Sequence, residues 1–207
     1  MDAAAWNRRY ATEEFVWRTE PNRFLPPEVA DLEPGRALDL ACGEGRNAVW
    51  LARQGWEVTG VDFAETGLDK ARRLAAAQGV EVAWVCADVT TWTSPAPMDL
   101  VVVLYLQLPG APRRLALGHA AGAVGPGGTL LVVAHDLINL TDGHGGPQDP
   151  AVLYTPDDVV ADLAGSGLRV QRAERVRRPV EGPDGVVEAI DCLVRAVRPS
   201  GADTVGA

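Results

Sequence analysis

Residues 38–48 read LDLACGEGRNA, and the fold is decided by what that stretch forms. An apolar run ends at Cys42, glycines follow at Gly43 and Gly45, and a helix-period segment runs from Arg46 to Gln54. Strand, glycine turn and helix in that order make a nucleotide-type turn, because glycine lets backbone approach a ligand where a Cβ would clash. The segment from Asp39 to Asn47 therefore reads as the cofactor-binding loop of a Rossmann-like domain. Gly43 to Ala48 also satisfies the dinucleotide pattern GxGxxA, so the glycines alone leave the cofactor open.

Outward from this loop, apolar runs of strand length alternate with helical segments. The runs are ALDLA (37–41), EVTGVD (57–62), VEVAWVCAD (80–88), MDLVVVLYL (98–106) and TLLVVAH (129–135). Their nearly unbroken Val and Leu content marks strands buried on both faces of a parallel sheet. The spacing predicts helices over 46–54, over 64–78 ending at Gly79, and over 112–124 ending at Gly125 and Pro126. TPDDVVADL (155–163) opens another, with Thr155 as cap, Pro156 in the first turn, and Asp157 and Asp158 at the positive helix end. Beyond Gly167, LRVQRAERVRR and VVEAIDCLVRAV flank the turn-rich EGPDG and predict a hairpin. The expected fold class is α/β, a Rossmann-like three-layer sandwich with a mostly parallel seven-stranded sheet and an antiparallel final strand. The expected divisions are an N-terminal helical lid segment over 1–33, the binding domain over 34–197, and a flexible tail over 198–207.

The 207 residues suit one such domain, at about 150 residues per domain. A formal charge of −9 works against nucleic acid as a partner. The densest basic stretch, RVQRAERVRR (169–178), reads as the solvated face of an alternating strand, with an anion-facing pocket rim as its functional alternative. Cys42, Cys86 and Cys192 are odd in number and lack CxxC spacing, so neither a disulfide framework nor a metal site is expected. The N-terminus carries no apolar core of signal-peptide length, and no stretch reaches the ~20 apolar residues of a membrane span. The expectation is a cytoplasmic protein acting on a small molecule, with no membrane partner and the oligomeric state open.

Carboxylates narrow the choice of cofactor. Asp62 ends the second strand, where it can accept from both ribose hydroxyls of an adenosine-containing ligand; its plainer reading is a helix cap. Phe63 beside it can pack on adenine. Asp88 ends the third strand, where it can accept from an adenine amino group or simply cap a loop. Asp39 lies inside the glycine-loop strand, where a pyrophosphate gains nothing from added negative charge but an ammonium and a sulfonium do.

LDLACGEGRN, GVDFAETGLDKAR, CADV, MDLVVVLY and VGPGGTLLVV follow one another as do the motifs of class I S-adenosylmethionine-dependent methyltransferases, and residues 34–197 resemble that family. The CGxGRN loop is most similar to the small tellurite-resistance (TehB) type. The resemblance implies S-adenosylmethionine as methyl donor, with S-adenosylhomocysteine as product. It places Asp39, Cys42, Gly43 and Gly45 around the methionine part, Asp62 at the ribose, Asp88 and Val89 at the adenine, and Leu104 and Tyr105 beneath the sulfonium, and Ala41, Asn47 and Phe63 complete the expected cofactor-binding set.

Methyl transfer is an in-line displacement, and orientation of the reactants can supply about 7–11 kcal/mol of the barrier. A soft acceptor such as a thiolate, selenide or halide needs no base, whereas a phenol or alcohol does, and the acceptor class, whether thiol, phenol, halide or chalcogen oxyanion, stays open. The candidate catalytic residues are Tyr10, Tyr105 and His135. Trp6, Tyr10, Phe15 and Trp17 form either a substrate lid or a core-packing face, and His135 is either a base or a hydrogen-bonded edge histidine. His144 reads as solvated. The long loop from Leu137 to Tyr154 is of a length that often carries function. Two rival readings stand beside methyl transfer: a non-catalytic nucleoside-binding sensor or partner subunit, and an NAD-dependent oxidoreductase.

Overall fold

The structure, a computed structural model, describes residues 2–182 and 185–200. Residues 183–184 of the expected hairpin turn and 201–207 of the expected tail lie outside it. In chain order the elements are α1 (Ala3–Tyr10), α2 (Leu25–Val29), β1 (Arg36–Leu40), α3 (Arg46–Arg53), β2 (Glu57–Asp62), α4 (Glu65–Gln78), β3 (Ala83–Cys86), β4 (Met98–Leu104), α5 (Gly110–Ala123), β5 (Val124–His135), α6 (Asn139–Asp142), a 3₁₀ turn (Pro150–Val152), α7 (Pro156–Asp162), β6 (Arg169–Gly182) and β7 (Gly185–Val197).

The seven strands lie in the order β3-β2-β1-β4-β5-β7-β6. The first five run parallel, β7 is antiparallel to β5, and β6 is antiparallel to β7. This is the expected three-layer α/β fold with a reversed final strand. Alternation along the strands divides the core between the two faces of the sheet. One face packs Leu38, Leu40, Val101, Val103 and Val132 with residues of α5 and α7. The other packs Ala37, Leu100, Val102, Val133 and Leu193 with residues of α2 and α3.

Several boundaries differ from the sequence expectation. The third strand, expected over 80–88, is only Ala83–Cys86. It is the sheet edge, and its ladder to β2 has partners only from Thr59 to Asp62. The fifth strand starts at Val124 rather than Thr129, because the Gly-Pro-Gly-Gly segment joins the ladder through an irregularity between Met98 and Leu100. Among the described residues of the stretch 1–33 the helices are α1 and α2, and Pro26 and Pro27 suit the first turn of the latter. The helix at 156 begins with a full capping box between Thr155 and Asp158.

The chain runs from β1 to β2 on one side and reaches β4 on the other, so the topological switch point lies at the carboxyl ends of β1 and β4. The first residue beyond each strand is strained. Ala41 and Tyr105 both have φ +62°, the left-handed region that non-glycine residues avoid.

Candidate functional site

The glycine loop is a tight turn pinned to its neighbours. Cys42 N–H donates to Val61 O at 3.0 Å and Gly45 N–H to Cys42 O at 2.9 Å, with Gly43 and Gly45 both left-handed. A Cβ on Gly45 would lie 2.6 Å from the Ala71 Cβ and 2.7 Å from the Trp84 ring. Its bare backbone therefore serves close packing of the turn on α4 and β3. A Cβ on Gly43 would meet the Tyr10 hydroxyl at 2.8 Å. Ala41 is half-buried beside them and Cys42 is buried, its thiol pushed up by burial and by the carboxylates of Asp39 and Asp62.

Asp62 lies buried at the end of β2. One oxygen accepts the Gly43 N–H at 2.8 Å and the other the Ala64 N–H at 2.8 Å, so the residue both fixes the loop and caps the approach to α4. Each oxygen keeps a second lone pair. Asp39 is buried on the α3 face of β1, and its Oδ2 has no hydrogen-bond partner among the described residues. Burial pushes its carboxyl up to about 7, opposed by the Ala48 N–H and raised further by Asp62. Phe63 is half-buried and Val89 buried. Asp88 is exposed, and one of its oxygens takes both the N–H (2.8 Å) and the hydroxyl (2.7 Å) of Thr90, which is the loop cap.

The N-terminal segment is strapped over this loop by residues that the motif reading passed over. Glu44, in the turn itself, is buried; its carboxylate accepts from the N–H of Val16 and of Trp17, each at 3.0 Å. Lys70 pairs with Glu44 at 2.8 Å and also donates to Glu14 O at 2.6 Å. The Asn47 side chain accepts the Asn22 N–H at 2.7 Å. Tyr10 packs on Gly67 and stacks with Trp6, while Arg9 lies between the rings of Trp6 and Trp17. The sequence signal for Lys70 is its place in the apolar stripe of Gly67, Ala71 and Leu74.

Across the switch point, on the same face of the sheet, lies a second polar group. The Tyr105 hydroxyl donates to Asp191 Oδ2 at 2.8 Å, and Arg178 Nε donates to that oxygen at 2.6 Å. His135, which pairs with Asp191 in the β5–β7 ladder, packs on Tyr105 with the rings tilted by 36° and their centroids 4.8 Å apart. Leu104 is buried beneath them. Arg46, first in α3, feels Tyr105, Asp39 and Arg178 electrostatically but has no ion pair among the described residues. A cation there opposes the positive helix end. Asp191 and Arg178 escaped the motif reading. The signal for Asp191 is a lone charge in the apolar run AIDCLV, and Arg178 belongs to the basic stretch read as solvated. Within that stretch Arg175 also bonds a buried carboxylate, Asp136, at 3.0 Å. His144 is exposed, as expected.

The methyltransferase domain family matches residues 37–128. A demethylmenaquinone methyltransferase of Thermus thermophilus is 39% identical over 103 residues, 48% of this chain and 47% of that protein. A ubiquinone biosynthesis O-methyltransferase of Coxiella burnetii is 32% identical over 166 residues, 72% of this chain and 69% of that protein. The chain belongs to the class I S-adenosylmethionine-dependent methyltransferases. Among solved methyltransferase folds, TehB of Haemophilus influenzae superposes with a TM-score of 0.71 at 16% identity, covering 93% of this chain and 65% of that one. That likeness is one of fold. Against the Thermus enzyme, this methyltransferase chain aligns with about half of the relative's length. Among the described residues no helix is long and apolar enough to cross a membrane.

Proposed function

We propose that the chain transfers a methyl group from S-adenosylmethionine to a small-molecule acceptor held at the carboxyl ends of β4 and β5. The observation that carries this reading is the unpartnered, buried Asp39 Oδ2 beside the glycine turn. A buried polar atom without a partner costs about 1–3 kcal/mol, and the ammonium of the donor's methionine part would satisfy it. A pyrophosphate would not, which argues against a dinucleotide.

The other groups fit the donor in the same order as the sheet. Asp62 has lone pairs left for the ribose hydroxyls, Phe63 offers an aromatic face, and Asp88 and Val89 follow β3, which pairs with β2 at Asp62. Ala41, Cys42 and Gly43 line the methionine end, and Leu104 and Tyr105 lie under the sulfonium. Gly45 and Asn47 act one step back, by seating the turn and the N-terminal segment. Residues 1–33 form the lid, with residues 12–17 held down by Glu44 and Lys70. The names of the quinone-pathway relatives support a small-molecule acceptor, and methyl transfer is the chemistry that the donor supplies.

Thermal shift provides the test. At about 100 Kd of S-adenosylhomocysteine the expected stabilisation is roughly 2.7 kcal/mol. For a chain of this length that raises Tm by about 5–10 °C. A shift with NAD⁺ and none with S-adenosylhomocysteine overturns the proposal. Binding without methyl transfer from a radiolabelled donor to any thiol, phenol, halide or oxyanion acceptor points instead to a sensor.

A further inference from the structure

The geometry points to His135 as the general base of the reaction, positioned by Asp191, and therefore to an acceptor whose nucleophile is a weakly acidic hydroxyl, as in a phenol or enol. This rests on the proposed methyl transfer and adds the acceptor class and the residue that takes its proton.

His135 Nδ1 stands 3.2 Å from Asp191 Oδ1, yet neither atom has a hydrogen bond among the described residues; the two are within ion-pair reach but out of line. Two buried polar atoms left open against each other demand an explanation. Catalytic hydrogen bonds are often misaligned without substrate and tighten when it binds. The rest of Asp191 is fully committed. It is completely buried, and its Oδ2 is fixed by the Tyr105 hydroxyl and by Arg178 Nε, so that Oδ1 is the atom reserved for the imidazole. The backbone N–H of His135 is itself held by the Gln107 side chain at 3.0 Å. Gly146, left-handed, lies against the ring where any Cβ would fall 2.9 Å from Nδ1. A purely structural histidine would have its buried nitrogen, Nδ1, satisfied by a neighbour. Here the side chain keeps 14% of its surface and Nδ1 faces Asp191, which leaves Nε2 as the ring nitrogen for a ligand.

The remaining candidates do not fit the role. Burial pushes the phenols of Tyr10 and Tyr105 well above their ordinary range, which keeps both protonated. Position favours His135 as well. Neighbouring strands are about 4.8 Å apart, so the end of β5 stands about 10 Å from the glycine loop on β1, with β4 between. That gap suits a methyl donor and a flat acceptor ring. Arg46, without an ion pair among the described residues and close to Tyr105, supplies the positive charge that steadies an oxyanion.

The step balances as follows. The acceptor O–H bond breaks and its proton goes to His135 Nε2. The oxygen lone pair forms the O–CH₃ bond while the S–CH₃ bond breaks with its electron pair left on sulfur. The products are a methyl ether, the neutral thioether and an imidazolium facing Asp191 Oδ1. A thiolate acceptor needs no such proton transfer.

The test uses the full chain with His135→Gln and Asp191→Asn, following S-adenosylhomocysteine formation with catechol and with thiophenol. General-base removal costs about 10²–10⁴ in rate. His135→Gln is expected to lower the ratio of catechol to thiophenol turnover at least 100-fold. Asp191→Asn is expected to lower the same ratio at least 10-fold through kcat, with KM changed less than 3-fold. Calorimetric S-adenosylhomocysteine binding by His135→Gln should stay within 3-fold of the parent, which shows that the variant is folded. An unchanged ratio overturns the proposal. So does failure of the parent chain to methylate any hydroxyl acceptor while it binds S-adenosylhomocysteine. Failure to bind S-adenosylhomocysteine overturns instead the methyltransferase reading beneath it.

Discussion

Asp39→Asn should make the ligand-free protein more stable and the site worse. In the folded chain burial raises the Asp39 carboxyl from 3.8 to about 7. A carboxyl that binds its proton more tightly when folded lowers stability as pH rises through the window between those two values. Three pH units at about 1.36 kcal/mol each set a ceiling of about 4 kcal/mol by pH 8. Asparagine can still accept the Ala48 N–H but buries an unpaired amide N–H, which takes back about 1–3 kcal/mol. The net gain expected at pH 8 is about 1–3 kcal/mol, or roughly 2–12 °C in Tm for a chain of this size. Near pH 5, where the native carboxyl is still protonated, the gain should vanish or reverse. Melts of both proteins between pH 5 and 8 check this. A pH-independent difference would refute the reasoning, because only titration of Asp39 can produce the slope. Two companion measurements belong to the same experiment. S-adenosylhomocysteine affinity should fall at least 10-fold in the variant. In the parent, binding at pH 6.5 should release protons, read by calorimetry in buffers of different ionisation enthalpy, because an ammonium beside Oδ2 returns the carboxyl to its charged form.

Lys70→Met should destabilise by about 3–5 kcal/mol in urea titration, because it leaves the Glu44 carboxylate buried without its cation. Proteolysis should move into residues 11–20 in that variant, and a loss under 1 kcal/mol would show that the strap does not depend on the pair. Gly45→Ala forces a left-handed φ, at about 1–2 kcal/mol. It also drives a methyl into Ala71 and Trp84, so a total loss of roughly 2–5 kcal/mol is expected by chemical denaturation, with wild-type stability as the contrary result.

The fold was legible because its signals are local and repeated. Buried parallel strands show as runs such as DLVVVL, helix ends show at Gly79 and at Thr155-Pro156, and the hairpin shows as two runs about EGPDG. Boundaries were less so. The ladder determines where β3 stops and where β5 starts, and the ladder is not local. Within the site, the residues of the proposed donor half stand out in the sequence as spaced motif residues on consecutive strand ends. Glu44, Lys70, Arg178 and Asp191 do not, because each matters through a partner distant in the chain: Glu44 reaches Val16 and Lys70, and Asp191 reaches Tyr105 and Arg178. For Gly45 the sequence indicated the residue type and not the reason, since only packing reveals that Ala71 and Trp84 occupy the space of a side chain.

The reversed hairpin adds two side chains, Arg178 and Asp191, to a crevice otherwise built from the parallel strands. The family match runs from residue 37 to residue 128 and ends before His135 and before either hairpin strand. The hairpin ties distant parts of the chain together: Asp191 of β7 holds both Arg178 of β6 and the Tyr105 hydroxyl beyond β4, so a substitution in the hairpin is felt at the end of β4.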